Sequence, residues 1–188
     1  MKKVIIIGAS GSLATVVIEE LKKQNEVELT LFARNKNRIS NPGDANIIEG
    51  DTNNYDDLKN SIAGQDIVYV NLAGNLDGMS KNIIKAMQET GVKRIIAISS
   101  IGIFDTPIKP ALKPYRALSD NIENSDLDYT ILRPDWFTNA NEINYVLTRK
   151  GEPEIGQAIS RKSIAAFVGE LVKNPGEYIG ENLGISKP

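Results

Sequence analysis

Two hydrophobic rhythms alternate along the chain from its first residues to about Leu132. Short apolar runs at Val4–Ile7, Glu28–Phe32, Ala45–Ile48, Ile67–Asn71, Arg94–Ile98 and Tyr129–Leu132 predict strands. Several are apolar at nearly every position, the pattern of parallel strands covered on both faces. Between them the period lengthens to that of a helix. Leu13, Val16, Val17 and Leu21 share one helical face, and Met79, Ile83, Ile84 and Met87 share another. Asp56-Asp57-Leu58 opens a shorter helix, and Gly64 and Gly91 stand where helix C-caps are wanted. After Pro134 the pattern loosens. Ser160 then caps a last helix carrying Ile164, Phe167, Val168, Leu171 and Val172; Asn174-Pro175-Gly176 ends it, and Tyr178–Ile185 adds a final strand.

The β-α-β-α order predicts an α/β fold: a doubly wound parallel sheet with right-handed crossovers and helices on both faces. No repeat, low-complexity tract or linker divides residues 1–188, so a single domain is expected. The stretch between Pro134 and Ser160 is short, which implies a minimal C-terminal substrate region and an open, shallow pocket.

Composition removes several kinds of chemistry. The chain has no Cys and no His, which excludes thiolate nucleophiles, Ser-His triads and the common zinc sites, and no metal is expected. A net charge of −2 gives no global attraction to nucleic acid or anionic membrane. The apolar run after Met1-Lys2-Lys3 breaks at Gly8, too short for a signal sequence, and no run approaches a membrane span. A cytoplasmic protein with a small-molecule partner is the expectation.

Gly8-Ala9-Ser10-Gly11-Ser12-Leu13-Ala14 joins the first strand to the first helix. A tight turn needs glycine, and close approach of a pyrophosphate leaves no room for a side chain. Unpaired amides at the helix start, with the helix dipole behind them, favour phosphate. The spacing is G-x-x-G-x-x-A. A P-loop would need Gly-Lys-Ser/Thr, and a nucleophile elbow Gly-x-Ser-x-Gly with a His; neither is present. Gly8, Ser10, Gly11, Ser12 and Leu13 are therefore the candidate pyrophosphate cradle of a Rossmann-type domain that binds NAD(P).

The turn, together with Leu31-Phe32-Ala33-Arg34-Asn35, Glu49-Gly50-Asp51, Ala97-Ile98-Ser99-Ser100, Asp128–Pro134 and Ile159-Ser160-Arg161, resembles the atypical short-chain dehydrogenases/reductases of the NmrA-like group. That group includes NAD(P)H-flavin and biliverdin reductase-like proteins, and the resemblance spans nearly the whole chain. It implies that Asn71, Ala73 and Gly74 line the adenine-ribose side and that Pro134 lies beside the nicotinamide. Asp51 would lie near the adenine edge or cap the following helix.

In the simple NAD fingerprint an acidic residue past the turn binds the ribose 2′-hydroxyl. Here the second strand ends in Ala33-Arg34, with Lys36 and Arg38 following. A guanidinium meets a 2′-phosphate with paired, charge-assisted hydrogen bonds, so NADP is favoured over NAD with Arg34 as its contact. Lys36 and Arg38 read as a solvated charged loop.

Ser99 and Ser100 end the fifth strand at the sheet's carboxyl edge, where substrate meets cofactor. In related reductases the second of such a pair hydrogen-bonds the substrate, which makes Ser100 the choice here. The superfamily's Tyr-x-x-x-Lys pair is incomplete, because Tyr115-Arg116-Ala117-Leu118-Ser119 puts Ser where the Lys should be. Tyr115 is thus a site contact or a packing residue. Hydride delivery to a flavin or quinone ring can take its proton from water, so a reductase of a planar acceptor fits these residues. Trp136 and Phe137 offer such a ring an aromatic wall, or belong to the core. The alternative is a non-catalytic NADP(H)-sensing NmrA-like regulator.

Overall fold

The computed structural model describes residues 1–188. In chain order the elements are β1 (Lys2–Ile7), α1 (Ser12–Leu21), β2 (Val27–Ala33), β3 (Asn46–Glu49), α2 (Tyr55–Ile62), β4 (Ile67–Val70), α3 (Leu76–Thr90) and β5 (Arg94–Ile98). There follow α4 (Lys113–Glu123), β6 (Asp128–Pro134), β7 (Phe137–Thr138), β8 (Val146–Arg149), β9 (Ile159–Ser160), α5 (Arg161–Lys173) and β10 (Glu181–Ser186).

Eight strands form one sheet in the order β3-β2-β1-β4-β5-β6-β10-β8, and β7 pairs with β9 in a small second sheet. The main sheet is parallel from β3 to β10 and closes with β8 antiparallel to β10. It is the doubly wound Rossmann order, reversing direction between β1 and β4. That reversal opens a crevice at the carboxyl edge, where ligands bind in such sheets.

The apolar runs are continuous because each strand supplies two cores. Val4 and Ile6 face one core with α1 and α5; Ile5 and Ile7 face the other with α2, α3 and α4. All four are fully buried. The helices begin on polar caps: Asn54, Asn75 and Ser160 accept amide hydrogens at the starts of α2, α3 and α5. Gly91 closes α3 in the left-handed conformation, and Gly64, also left-handed, lies one residue beyond the α2 cap at Ala63.

Three differences from the expected pattern matter for the site. The helix α4 carries Tyr115. The last strand begins at Glu181, because Tyr178 sits in a turn at φ 55°. The Pro134–Ser160 stretch is also more structured than its composition indicates, holding β7 and β8.

Candidate functional site

Two adjoining cavities occupy the carboxyl edge of the sheet. The first measures about 350 Å³ and is lined by Gly8, Ser10, Gly11, Ser12, Leu13, Arg34, Asn71 and Ala73, together with Tyr115 and Phe137. The second measures about 970 Å³ and is lined by Ser99, Ser100, Tyr115, Pro134, Trp136 and Phe137, with Asn71 at the shared boundary. Residues far apart in sequence, from the β1–α1 turn to the segment after β6, therefore meet at one place.

The glycine turn is built by backbone geometry. The amides of Gly8 and Ala9 both donate to the Phe32 carbonyl oxygen at 3.1 Å, and that of Gly11 donates to the Gly8 carbonyl oxygen at 3.1 Å. Gly8 has φ 92°, and a methyl there would overlap the carbonyl oxygen of Asn71. Only glycine lets β1 turn against the end of β4 at this point. Gly11 precedes α1 without a side-chain cap, and the amides of Ser10, Ser12 and Leu13 donate to no group of the protein. Those amides, at the positive end of a ten-residue helix, are the donors that an anion needs.

Arg34 lies on the opposite wall. It is exposed and takes part in no ion pair. Arg38, exposed on the segment that follows, lines the same cavity. Lys36 does not line it, and its amide donates to Glu49 Oε2. At this end Gly50 lies so close to the Phe32 ring that a methyl would collide with it.

Two residues expected at the cofactor stand just outside the cavity linings. Asp51 lines neither cavity; its Oδ1 accepts from the Asn53 amide and from Asn53 Nδ2, each at 2.9 Å. The capping of α2 falls to Asn54 instead. Asp51 Oδ1 is thus engaged in its own turn, and the neighbouring Gly50 and Thr52 line the cavity. Gly74 also stands outside both linings. Its φ of 103° and the hydrogen bond from the Leu76 amide to its carbonyl at 2.8 Å make it the turn that launches α3.

The two serines have different roles. Ser99 is 3% exposed. Its hydroxyl donates to the Tyr115 carbonyl at 3.1 Å and accepts from Ser119 Oγ at 3.0 Å. Ser119, four residues after Tyr115 on α4, is fully buried, and the pair pins α4 to the end of β5. Ser100 is half-buried, and its hydroxyl makes one local bond, donating to the neighbouring Ile101 carbonyl at 3.1 Å. Its acceptor lone pairs remain available to a ligand.

The second cavity is wider than the short Pro134–Ser160 stretch implies, because the loop after β5 supplies a wall of Gly102, Asp105, Lys109 and Leu112. That loop is tied across the cavity by Glu154. The carboxylate accepts from Arg133 Nε at 2.8 Å and from the Gly102 amide at 3.1 Å. Arg133 is 1% exposed; its Nη1 also donates to Asn182, and its guanidinium lies 5.0 Å from the Phe104 ring centroid. No local pattern could have paired Glu154 with Arg133, 21 residues away. Trp136 is 82% exposed and Phe137 37%, so both belong to the site's wall and not to the core.

These residues fit a dinucleotide: a glycine cradle without side chains, unpaired amides at a helix start, and cations without carboxylate partners at the far end. Comparison with known proteins agrees. A family described as NAD(P)H-binding matches residues 8–175. The chain belongs to this NAD(P)H-binding family. It is similar in structure to a Rossmann-fold NAD(P)-binding family protein from Shigella flexneri, 44% identical, with a TM-score of 0.92 over the whole of this chain and 94% of that one. A short-chain dehydrogenase/reductase from Veillonella parvula, solved in complex with NADP, shares the fold at 23% identity and a TM-score of 0.89 over all of this chain and 95% of that one. The anaerobillin reductase ChuY from Escherichia coli O157:H7 shares it at 18% identity and a TM-score of 0.84, covering 100% and 98%. Among curated proteins, UPF0659 protein YMR090W of Saccharomyces cerevisiae is 21% identical across 97% of this chain and 92% of its own length. The chain thus has the NAD(P)H-binding, oxidoreductase-like fold. No helix is long and apolar enough to cross a membrane.

Proposed function

We propose that the protein is an NADPH-dependent reductase of a planar acceptor such as a flavin or quinone. The observation that carries this reading is the shared boundary of the two cavities. Asn71, Leu72, Tyr115 and Phe137 line both, so a dinucleotide held in the first would present its far end to a molecule in the second.

The first cavity suits the phosphorylated form of the cofactor. Arg34 and Arg38 bring two guanidinium groups to the end away from the glycine turn, and neither is neutralised by an ion pair. A 2′-phosphate gains charge-assisted bonds from them, whereas a bare 2′-hydroxyl gains much less. In the second cavity Trp136 and Phe137 offer ring faces, and Ser100 offers a hydroxyl. Bound NADPH would supply the hydride. The chain would hold donor and acceptor ring together, and the open cavity would let water supply the proton.

The buried Ser119 favours this acceptor class over ordinary carbonyl compounds, because no lysine stands one helical turn from Tyr115. The same feature fits a cofactor sensor without turnover, and one experiment separates the two. NADPH oxidation is followed with riboflavin, FMN and simple quinones, for the protein and for Ser100→Ala. The reductase reading expects turnover with at least one acceptor and a loss of roughly tenfold or more in Ser100→Ala, the scale of one hydrogen bond to the reacting partner. Tight NADPH binding with no oxidation by any acceptor would leave the sensor reading in its place.

A further inference from the structure

Arg161 opens α5, one residue after its cap Ser160, and so stands at a helix N-terminus. A cation is poorly placed there, because the helix dipole presents its positive end to it. The first turn of α5 contains no acidic residue to offset this. Arg161 also has no carboxylate partner. Its Nε donates to Ser12 Oγ at 3.3 Å, and its Nη1 donates to Asn139 Oδ1 at 2.9 Å, both neutral oxygens. Its guanidinium is stacked 5.1 Å from the Phe137 ring centroid.

Ser12 is the first residue of α1 and part of the glycine turn. The guanidinium is therefore held between the positive ends of two helices, α1 and α5. It is restrained by a ring face and a side-chain amide, with no negative charge to meet. Such an arrangement is unfavourable alone and favourable once an anion enters between the cation and the unpaired amides of the turn.

We propose that Arg161 is a ligand of the dinucleotide's pyrophosphate, delivered across the turn by the β9–α5 junction. This rests on the dinucleotide reading of the first cavity and adds a contact from 149 residues along the chain. Phe137 fixes the guanidinium by stacking while lining both cavities. The side chain that reads the pyrophosphate is thus braced by a wall of the acceptor site.

The test is binding of NADPH, NADH and 2′-AMP, by calorimetry or by competition, to the protein and to Arg161→Ala, Arg161→Gln and Arg34→Ala. Arg161→Gln keeps hydrogen-bonding capacity and much of the bulk but removes the charge, and circular dichroism confirms that each variant is folded. The proposal expects both Arg161 variants to weaken NADPH and NADH by the same factor, roughly tenfold for one charge-assisted contact. They should leave 2′-AMP, which has no pyrophosphate, unchanged. Arg34→Ala should do the reverse, weakening NADPH and 2′-AMP and sparing NADH. Unchanged dinucleotide binding in folded Arg161 variants, or an equal loss for 2′-AMP, overturns the role of Arg161 while leaving the dinucleotide site standing. Failure of the unaltered protein to bind either dinucleotide overturns both.

Discussion

Placing a lysine at position 119 would create the Tyr-x-x-x-Lys spacing of short-chain dehydrogenases, and the structure predicts that it will damage the protein instead. Ser119 is fully buried, and its hydroxyl donates to Ser99 Oγ at 3.0 Å, which in turn donates to the Tyr115 carbonyl. Ser119→Ala removes one buried hydrogen bond and leaves Ser99 its other partner, a loss of about 1 kcal/mol. Ser119→Lys loses the same bond and adds about 1–3 kcal/mol of overpacking. It must also bury an ammonium among Ser99, α4 and β5, or expel it by moving the helix, at a further cost of several kcal/mol. The sum is about 4 kcal/mol or more, a large part of the roughly 5–15 kcal/mol that holds a domain of this size together. Urea unfolding followed by circular dichroism measures both variants on the same scale. A lysine variant within about 1 kcal/mol of the parent would show that position 119 is not packed as described. Efficient carbonyl reduction by the unaltered protein would refute the argument that a site without the lysine disfavours carbonyl acceptors.

Two further substitutions probe the scaffold of the site. Glu154→Ala leaves Arg133 buried without its counter-charge; because Glu154 is itself 22% exposed and Arg133 keeps its bonds to Asn182, the expected loss is about 2 kcal/mol, less than for a fully buried pair. Denaturant titration checks it, and a change under about 0.5 kcal/mol would mean the strut is not formed in solution. Gly8→Ala forces a side chain into φ 92° and into the Asn71 carbonyl, for a loss of at least about 2 kcal/mol. Weaker NADPH binding should accompany it, and an unchanged melting temperature with unchanged binding would contradict the turn geometry.

Much of this architecture was legible in the residues themselves, for a physical reason. Strands buried on both faces must be apolar at nearly every position, so β1, β4 and β5 announce themselves without help from distant segments. The glycine turn is equally local, since its demand for small residues is set by backbone conformation within one turn of chain. What escaped depends on pairing over distance. The strands β7 and β9 are two residues each, with no periodicity to detect, and exist because each finds the other. Glu154 looks like any surface carboxylate until Arg133 is brought against it. Arg161 becomes notable only once α5 packs beside α1. Asp51 shows a local version of the same difficulty: it competes with Asn54 for the cap of α2, and the structure gives the cap to Asn54 while Asp51 Oδ1 accepts from Asn53.

The most direct test of the account is calorimetric titration of NADPH and NADH into the protein and into Arg34→Ala. The predicted result is tighter binding of NADPH than of NADH by the unaltered protein. Arg34→Ala should remove most of that difference, lowering NADPH affinity roughly tenfold or more while leaving NADH nearly unchanged. Equal losses for the two cofactors would contradict the assignment of Arg34 to the 2′-phosphate, and absence of binding by either would contradict the dinucleotide site itself.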